Sequence, residues 1–386
     1  MRAATIPAVS EITDVLAAIE SLSAHGERMA LATVVAVRGS TYRRPGARLL
    51  VPEHGAPVGN ISGGCLEGDV ADVARIVMDE GTPRLASWDL TADDDAVWGM
   101  GLGCNGAIEV FIEPAERAAE VAGALRMALD EARPICVVTV VESGRADVEP
   151  GARLVVSAEG ELHRGSLGTP DTDSAAVAAA REALAAERSE VRHLGEDLRA
   201  FVEVLEPPLR LLICGAGHDA VPLVRGAASL GWGAVVVDDR AAFLSEDRYP
   251  GAAGFSLVDE PGEIAGLEIA DARTYAVVMT HNYLRDRAYL RGLLSTPVRY
   301  IGMLGPAART ERILMDLAEA GLVISPDDRA RIHGPAGLDL GSEGPEEIAQ
   351  SIVSEIIAAR HERPGGPLRD RPGPIHQRPR PGDQAG

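Results

Sequence analysis

The stretch from Leu209 to Arg240, LRLLICGAGHDAVPLVRGAASLGWGAVVVDDR, limits the possible folds most narrowly, because it reads as strand, glycine turn, helix, strand. Leu211, Leu212 and Ile213 form an unbroken apolar run, and Ala234 to Val237 form another. Runs without alternation belong to parallel strands covered on both faces. Between them Gly215, Ala216, Gly217 and, three residues further, Ala220 fit G-x-G-x-x-G/A. In that pattern one glycine makes the tight turn, the second lets a pyrophosphate approach bare backbone, and the small residue brings helix against strand. A carboxylate for a ribose is due roughly 20 residues later, where Asp238 and Asp239 stand. Pro222 removes a helical N–H, so the helix is expected to begin a residue or two late.

The remaining composition bounds the function. A chain of 386 residues has room for two or three domains, and its net charge of −21 argues against nucleic acid and anionic membrane surfaces. No apolar run reaches the roughly 18 residues of a membrane span, and no secretory signal is read at the N-terminus, so a cytoplasmic location is expected. All 37 basic residues are arginines, which excludes lysine Schiff-base and lysine general-base chemistry. The four cysteines, Cys65, Cys104, Cys136 and Cys214, form no C-x-x-C pair and therefore suggest neither a zinc site nor a disulfide framework. Cys136 and Cys214 sit in apolar, strand-like runs and read as inert core, whereas Cys65 and Cys104 lie in glycine-rich turns.

In chain order, Ile12, Val15, Leu16, Ile19 and Leu22 have helical spacing behind a cap at Ser10, and Ala30 to Val37 read as a strand. The following loop holds Arg38, Arg43, Arg44 and Arg48. It is either an anion site or a set of arginines paired with nearby acids. In VGNISGGCLEGD (58–69), Gly63 and Gly64 lead into a helix with Cys65 at its start, where backbone N–H groups and the dipole favour anions and thiolates. Asp93 to Asp95 read as a solvated loop with no metal, and GLGCNG (101–106) sets Gly103 and Cys104 before an alternating strand. Further helices at 115–131 and 174–188 and strands near 135–141, 152–157 and 198–205 continue an α+β layer. Glu206, Pro207 and Pro208 make a stiff linker.

Beyond the linker, strands ending in THNYLRD (280–286) and GMLGP (302–306) bring loops to the carboxyl edge of the sheet, where doubly wound folds bind ligands. His218 and His281 are expected to face that crevice, orienting or stacking on a ligand. A last helix starts near Pro345, and the Pro/Arg-rich tail 361–386 is expected to be disordered. The fold class is therefore α/β: a C-terminal Rossmann-like doubly wound domain over 209–360 and an N-terminal α+β domain over 1–206 carrying two Gly-Cys turns.

Together SGGCLEGDV (62–70), GLGCNG, ICGAGHDAVPL (213–223), THNYLRD and PAGLDLGSEGPEEIAQSI (335–352) resemble the xanthine dehydrogenase accessory factor family, XdhC/CoxI, in the family's order of motifs. The resemblance covers residues 10 to 360 or so. It implies a non-enzymatic maturation factor that holds the molybdenum cofactor, as molybdopterin or its cytosine dinucleotide form and often sulfurated. Such a factor delivers the cofactor to an apo molybdenum hydroxylase such as xanthine or carbon monoxide dehydrogenase, with a cysteine desulfurase as sulfur source. By this resemblance Cys65 and Cys104 handle the cofactor and are ligands at its metal end. Where the family commonly has a serine-arginine-lysine segment, this chain has Gly305 to Arg309, leaving Arg309 as the remaining positive charge.

A second reading, an NAD(P)-dependent oxidoreductase, draws on the glycine turn and Asp238 but leaves both turn cysteines unused. The cofactor-binding set on the chaperone reading is Gly63, Gly64, Cys65, Gly103, Cys104, Gly215, Gly217, His218, Asp238 and His281, and a homodimer is left open. The two cysteine turns are expected to meet in the fold.

Overall fold

The computed structural model describes residues 11–39, 43–89, 106–131 and 133–371. The chain forms two compact units, Glu11–Pro207 and the described residues from Pro208 onward.

The first unit opens with α1 (Glu11–His25), which buries Val15, Leu16 and Ile19 on one face. Then follow β1 (Met29–Gly39), β2 (Arg48–Pro52), β3 (Val58–Gly59), α2 (Glu67–Glu80), β4 (Arg84–Asp89), β5 (Gly106–Pro114) and α3 (Ala115–Glu131). The strands form an antiparallel sheet of order β3-β2-β1-β5-β4. The chain then runs through β6 (Ile135–Ser143), β7 (Arg153–Val156), β8 (Leu162–Ser166), α4 (Pro170–Ala186), β9 (Glu190–His193) and β10 (Leu198–Leu205). Their sheet has the order β8-β7-β6-β10-β9, which is the first order with every strand advanced by five. The unit is an internal duplication.

Local details repeat as well. Val34 N–H donates to Ala47 O and Gly46 N–H to Val34 O; Val140 N–H donates to Ala152 O and Gly151 N–H to Val140 O. A Cβ on Gly59 would lie 2.3 Å from Arg48 O, and one on Gly165 would lie 2.3 Å from Arg153 O. Glycine is required at both places for the same reason. The two copies are joined by an exchange of charges: Arg48 Nη2 donates to Glu203 Oε2 at 2.6 Å, while Arg153 pairs with Glu113. All four side chains are buried, and Val35, Phe111, Val141 and Phe201 pack as a small core of their own. Each copy lends an arginine to the other's glutamate.

The second unit contains β11 (Arg210–Cys214), α5 (Ala220–Ser229), β12 (Gly233–Asp238), β13 (Gly254–Leu257), β14 (Thr274–Val278), α6 (Tyr283–Leu294), β15 (Tyr300–Met303), α7 (Ala307–Glu319), α8 (Pro326–Ala330), β16 (Ile332–His333) and α9 (Pro345–Arg360). All its strand pairs are parallel, in the order β13-β12-β11-β14-β15-β16. This is the 3-2-1-4-5-6 order of a Rossmann fold. Leu211 and Ile213 pack with α5 and α9, and Leu212 and Cys214 pack with α6 and α7, so both faces are covered and the strands carry no alternation.

Two expectations change. Helix α5 begins at Ala220 without delay, because Pro222 is only its third residue and the N–H it lacks is one of the helix's unpaired first four. Residues 361–371 are not featureless: they include a short 3-10 turn, Leu368–Asp370, and a Cβ on Gly365 would lie 2.8 Å from Leu338 Cδ2.

Candidate functional site

The carboxyl edge of the parallel sheet brings together the segments 215–219, 238–240, 279–282 and 303–309. Gly215, at φ +117°, lies against the end of β14, where a Cβ would be 2.9 Å from Thr280 Cα. Its glycine is explained by the protein alone. Gly217 is different. A Cβ there meets nothing nearer than 4.0 Å, the closest atoms being His281 Cδ2 and Met279 O. Packing does not call for glycine at this position, and the free space is what a phosphate-bearing ligand needs beside bare backbone.

Asp238, at the end of β12, does not present a free carboxylate. Oδ2 accepts from Ala216 N–H at 2.6 Å and Arg240 Nη2 at 2.9 Å, and Oδ1 accepts from Arg240 N–H at 3.0 Å and Nε at 2.8 Å. Four donors use the acceptor positions of a carboxylate. Burial alone raises its pKa, but the Arg240 guanidinium and the N–H groups of Ala216 and Arg240 outweigh that and hold it below the usual carboxylate range. Its visible work is to clamp the glycine turn. Asp239 is likewise engaged, by Arg285 Nη2 at 2.6 Å.

The THNYLRD segment fastens the crevice. Asn282 caps α6 by accepting from Leu284 and Arg285 N–H, and buried Asp286 accepts from Thr280 N–H at 3.2 Å and from Arg309 Nη2 at 2.5 Å. Arg309 therefore spends its charge within the protein. His281 holds a left-handed backbone at φ +59° and places Nε2 2.9 Å from Asp219 Oδ2, a conformation that side chains with a Cβ adopt at a cost. His218 is exposed on the same turn.

In the first unit, Gly63 and Gly64 stand at φ +84° and +109°, and Cys65 is exposed beside them. The expected open array of N–H groups is absent. Glu67 folds back so that its carboxylate accepts from the N–H groups of Ile61 (3.2 Å), Ser62 (2.9 Å), Gly64 (3.0 Å) and Leu66 (3.2 Å) and from the Ser62 hydroxyl. Burial pushes the Glu67 pKa up, but the Ser62 hydroxyl and these backbone donors bring it below the usual range. An anionic group thus already occupies the helix start beside Cys65. Gly103, Cys104 and Asp93–Asp95 lie outside the described residues, and among those described no group of three or more His, Cys, Asp or Glu is placed to hold a metal. Burial pushes the Cys136 thiol to about 12 and raises that of Cys214 still further. Of the loop arginines, Arg43 pairs with Glu11, Arg48 with Glu203 and Arg38 with Glu109 at 3.8 Å, so paired arginines are what the structure has.

Sequence reasoning missed Glu67, the clamp from Arg240 to Asp238 and the neighbouring Phe243, Arg248 and Tyr249. Arg240 follows the acidic pair directly and was the available signal.

The XdhC Rossmann domain matches residues 211–356, and the XdhC and CoxI family matches residues 22–89 and 128–195. These last two stretches are equal in length, one in each copy of the duplication. A protein of Bacillus subtilis, named as one of the probable subunits of a xanthine dehydrogenase, is 32% identical over 347 residues, covering 89% of this chain and 96% of its own. The chain belongs to the XdhC and CoxI family. Another relative of this XdhC-family chain is the molybdenum cofactor insertion chaperone PaoD of Escherichia coli, 22% identical over 89% of this chain and 86% of PaoD. A crystal structure from Bacillus halodurans, described as that of a xanthine dehydrogenase, superposes with a TM-score of 0.73 at 29% identity over 93% of this chain and 98% of that one. No described helix is long and apolar enough to cross a membrane.

Proposed function

We propose that this XdhC-family chain is a maturation chaperone for the molybdenum cofactor, holding the cofactor and passing it to an apo molybdenum hydroxylase. The observation that carries this reading is the open space at Gly217 on the carboxyl edge of the sheet, taken with similarity to a named insertion chaperone along most of both chains. The Gly215–Gly217 turn offers bare backbone to a phosphate, exposed Cys65 offers a thiol of the kind soft metals take, and Cys65 and Cys104 remain the cysteines proposed to handle the cofactor. When bound, the cofactor supplies redox and oxygen-transfer chemistry to the client; the chain's own residues bind, orient and shield it. Sulfuration by a cysteine desulfurase, and the choice between molybdopterin and its cytosine dinucleotide, belong to the same proposal.

The oxidoreductase alternative loses its ribose acceptor, since Asp238 already carries four internal donors. Co-expression with cofactor synthesis, purification, oxidation and identification of the fluorescent pterin test the chaperone reading. Gly217→Val should abolish pterin retention while leaving the melting temperature nearly unchanged, because the added atoms meet ligand space. Retention at the unaltered level would leave the turn without a ligand role.

A further inference from the structure

Next to the glycine turn the second unit carries positive charge that no part of the function above uses. Arg240 and Arg248 both lie over the ring of Phe243, with guanidinium carbons 4.1 and 4.6 Å from its centroid. Arg240 is balanced by Asp238. Arg248 has no acidic partner among the described residues; its one side-chain hydrogen bond is from Nε to Tyr249 Oη at 3.3 Å. Tyr249 Oη in turn donates to Gly217 O at 3.1 Å, so the uncompensated guanidinium stands beside the turn. In a chain of net charge −21, a partly buried arginine left without a carboxylate and fixed by stacking is a preorganised anion receptor. Asp238, the group that elsewhere receives ribose hydroxyls, is saturated and covered by Arg240.

We propose that Arg248 and Arg240 form a subsite for a phosphomonoester at the β12 end of the crevice. The proposal rests on reading the Gly215–Gly217 turn as a ligand site. A dianionic phosphate can come from two sources: a 2′-phosphate on an adenine nucleotide, or the terminal phosphate of a pterin.

The test is calorimetric titration of the full chain with two matched pairs of probes, adenosine 2′,5′-bisphosphate against adenosine 5′-monophosphate, and the oxidised phosphorylated pterin against its phosphatase-treated form. In at least one pair the extra phosphate should tighten binding about 10- to 100-fold, the range for charge-assisted hydrogen bonds. Arg248→Gln should erase that preference while leaving the lesser probe's affinity unaltered. The pair that responds names the source. Equal affinity within both pairs, no binding of any probe, or an Arg248→Gln variant that weakens both members alike would overturn the subsite. The chaperone reading fails separately, if no pterin co-purifies; a phosphate preference in the nucleotide pair would still stand in that case.

Discussion

The two copies within the first unit share strand order and a required glycine, and they part company where each enters its helix. The Glu67 carboxylate accepts the Ile61 N–H and the Ser62 hydroxyl, and the Asp173 carboxylate accepts the Leu167 N–H and the Ser166 hydroxyl. This alignment sets Gly63, Gly64 and Cys65 opposite Thr169, Pro170 and Asp171. In the second copy, Thr169 and Thr172 cap each other reciprocally and Pro170 opens α4, a self-sufficient helix start. In the first, α2 begins only at Glu67, with no side-chain cap at Leu66, and leaves two left-handed glycines and a thiol exposed. The second copy's helix start therefore closes without glycines or cysteine; in the first, the two glycines supply left-handed backbone, and folding does not account for the exposed cysteine.

The largest expected effect comes from breaking what the copies share. Arg153→Ala and Arg48→Ala each strand a buried glutamate and should each cost about 3–5 kcal/mol in urea unfolding. Widely unequal costs would mean that the exchange of charges is not a matched pair energetically. A smaller effect comes from the carboxylates that tie each turn: Glu67→Ala and Asp173→Ala should each cost about 1–2 kcal/mol. Because the folded Glu67 pKa lies below its unfolded value, its contribution is present at neutral pH and lost as pH falls through the folded pKa, on the acid side of the ordinary glutamate range. Glu67→Gln should flatten that part of the acid limb. The smallest change in stability belongs to Cys65→Ser, within about 0.5 kcal/mol as for an exposed side chain, yet pterin retention or client activation should fall sharply.

Much of the second unit was legible because Leu211–Ile213 and Ala234–Val237 are unbroken apolar runs and the glycine turn lies between them. The duplication is also written in the chain, as TVV at 33–35 and 139–141 and PGARLLV against PGARLVV. It is masked at the cysteine turn, where the copies differ. Strand β8 was missed because every residue of it is exposed, which leaves no alternation to read. The clamp on Asp238 was illegible for another reason: a carboxylate at a strand end looks the same in sequence whether it receives a ribose or, as here, Ala216 and Arg240.

The central claim, that the first copy keeps its glycine-cysteine turn for a ligand, is tested most directly by exchange. The variant Gly63→Thr, Gly64→Pro, Cys65→Asp gives the first copy the second copy's three residues at these positions, and the measurement is the amount of pterin that co-purifies with it after co-expression with cofactor synthesis. It should fold with a lowered melting temperature, because Pro removes the Gly64 N–H that donates to Glu67 Oε2, and it should retain no pterin. Pterin retained at the parent level by the folded exchange variant would contradict the claim.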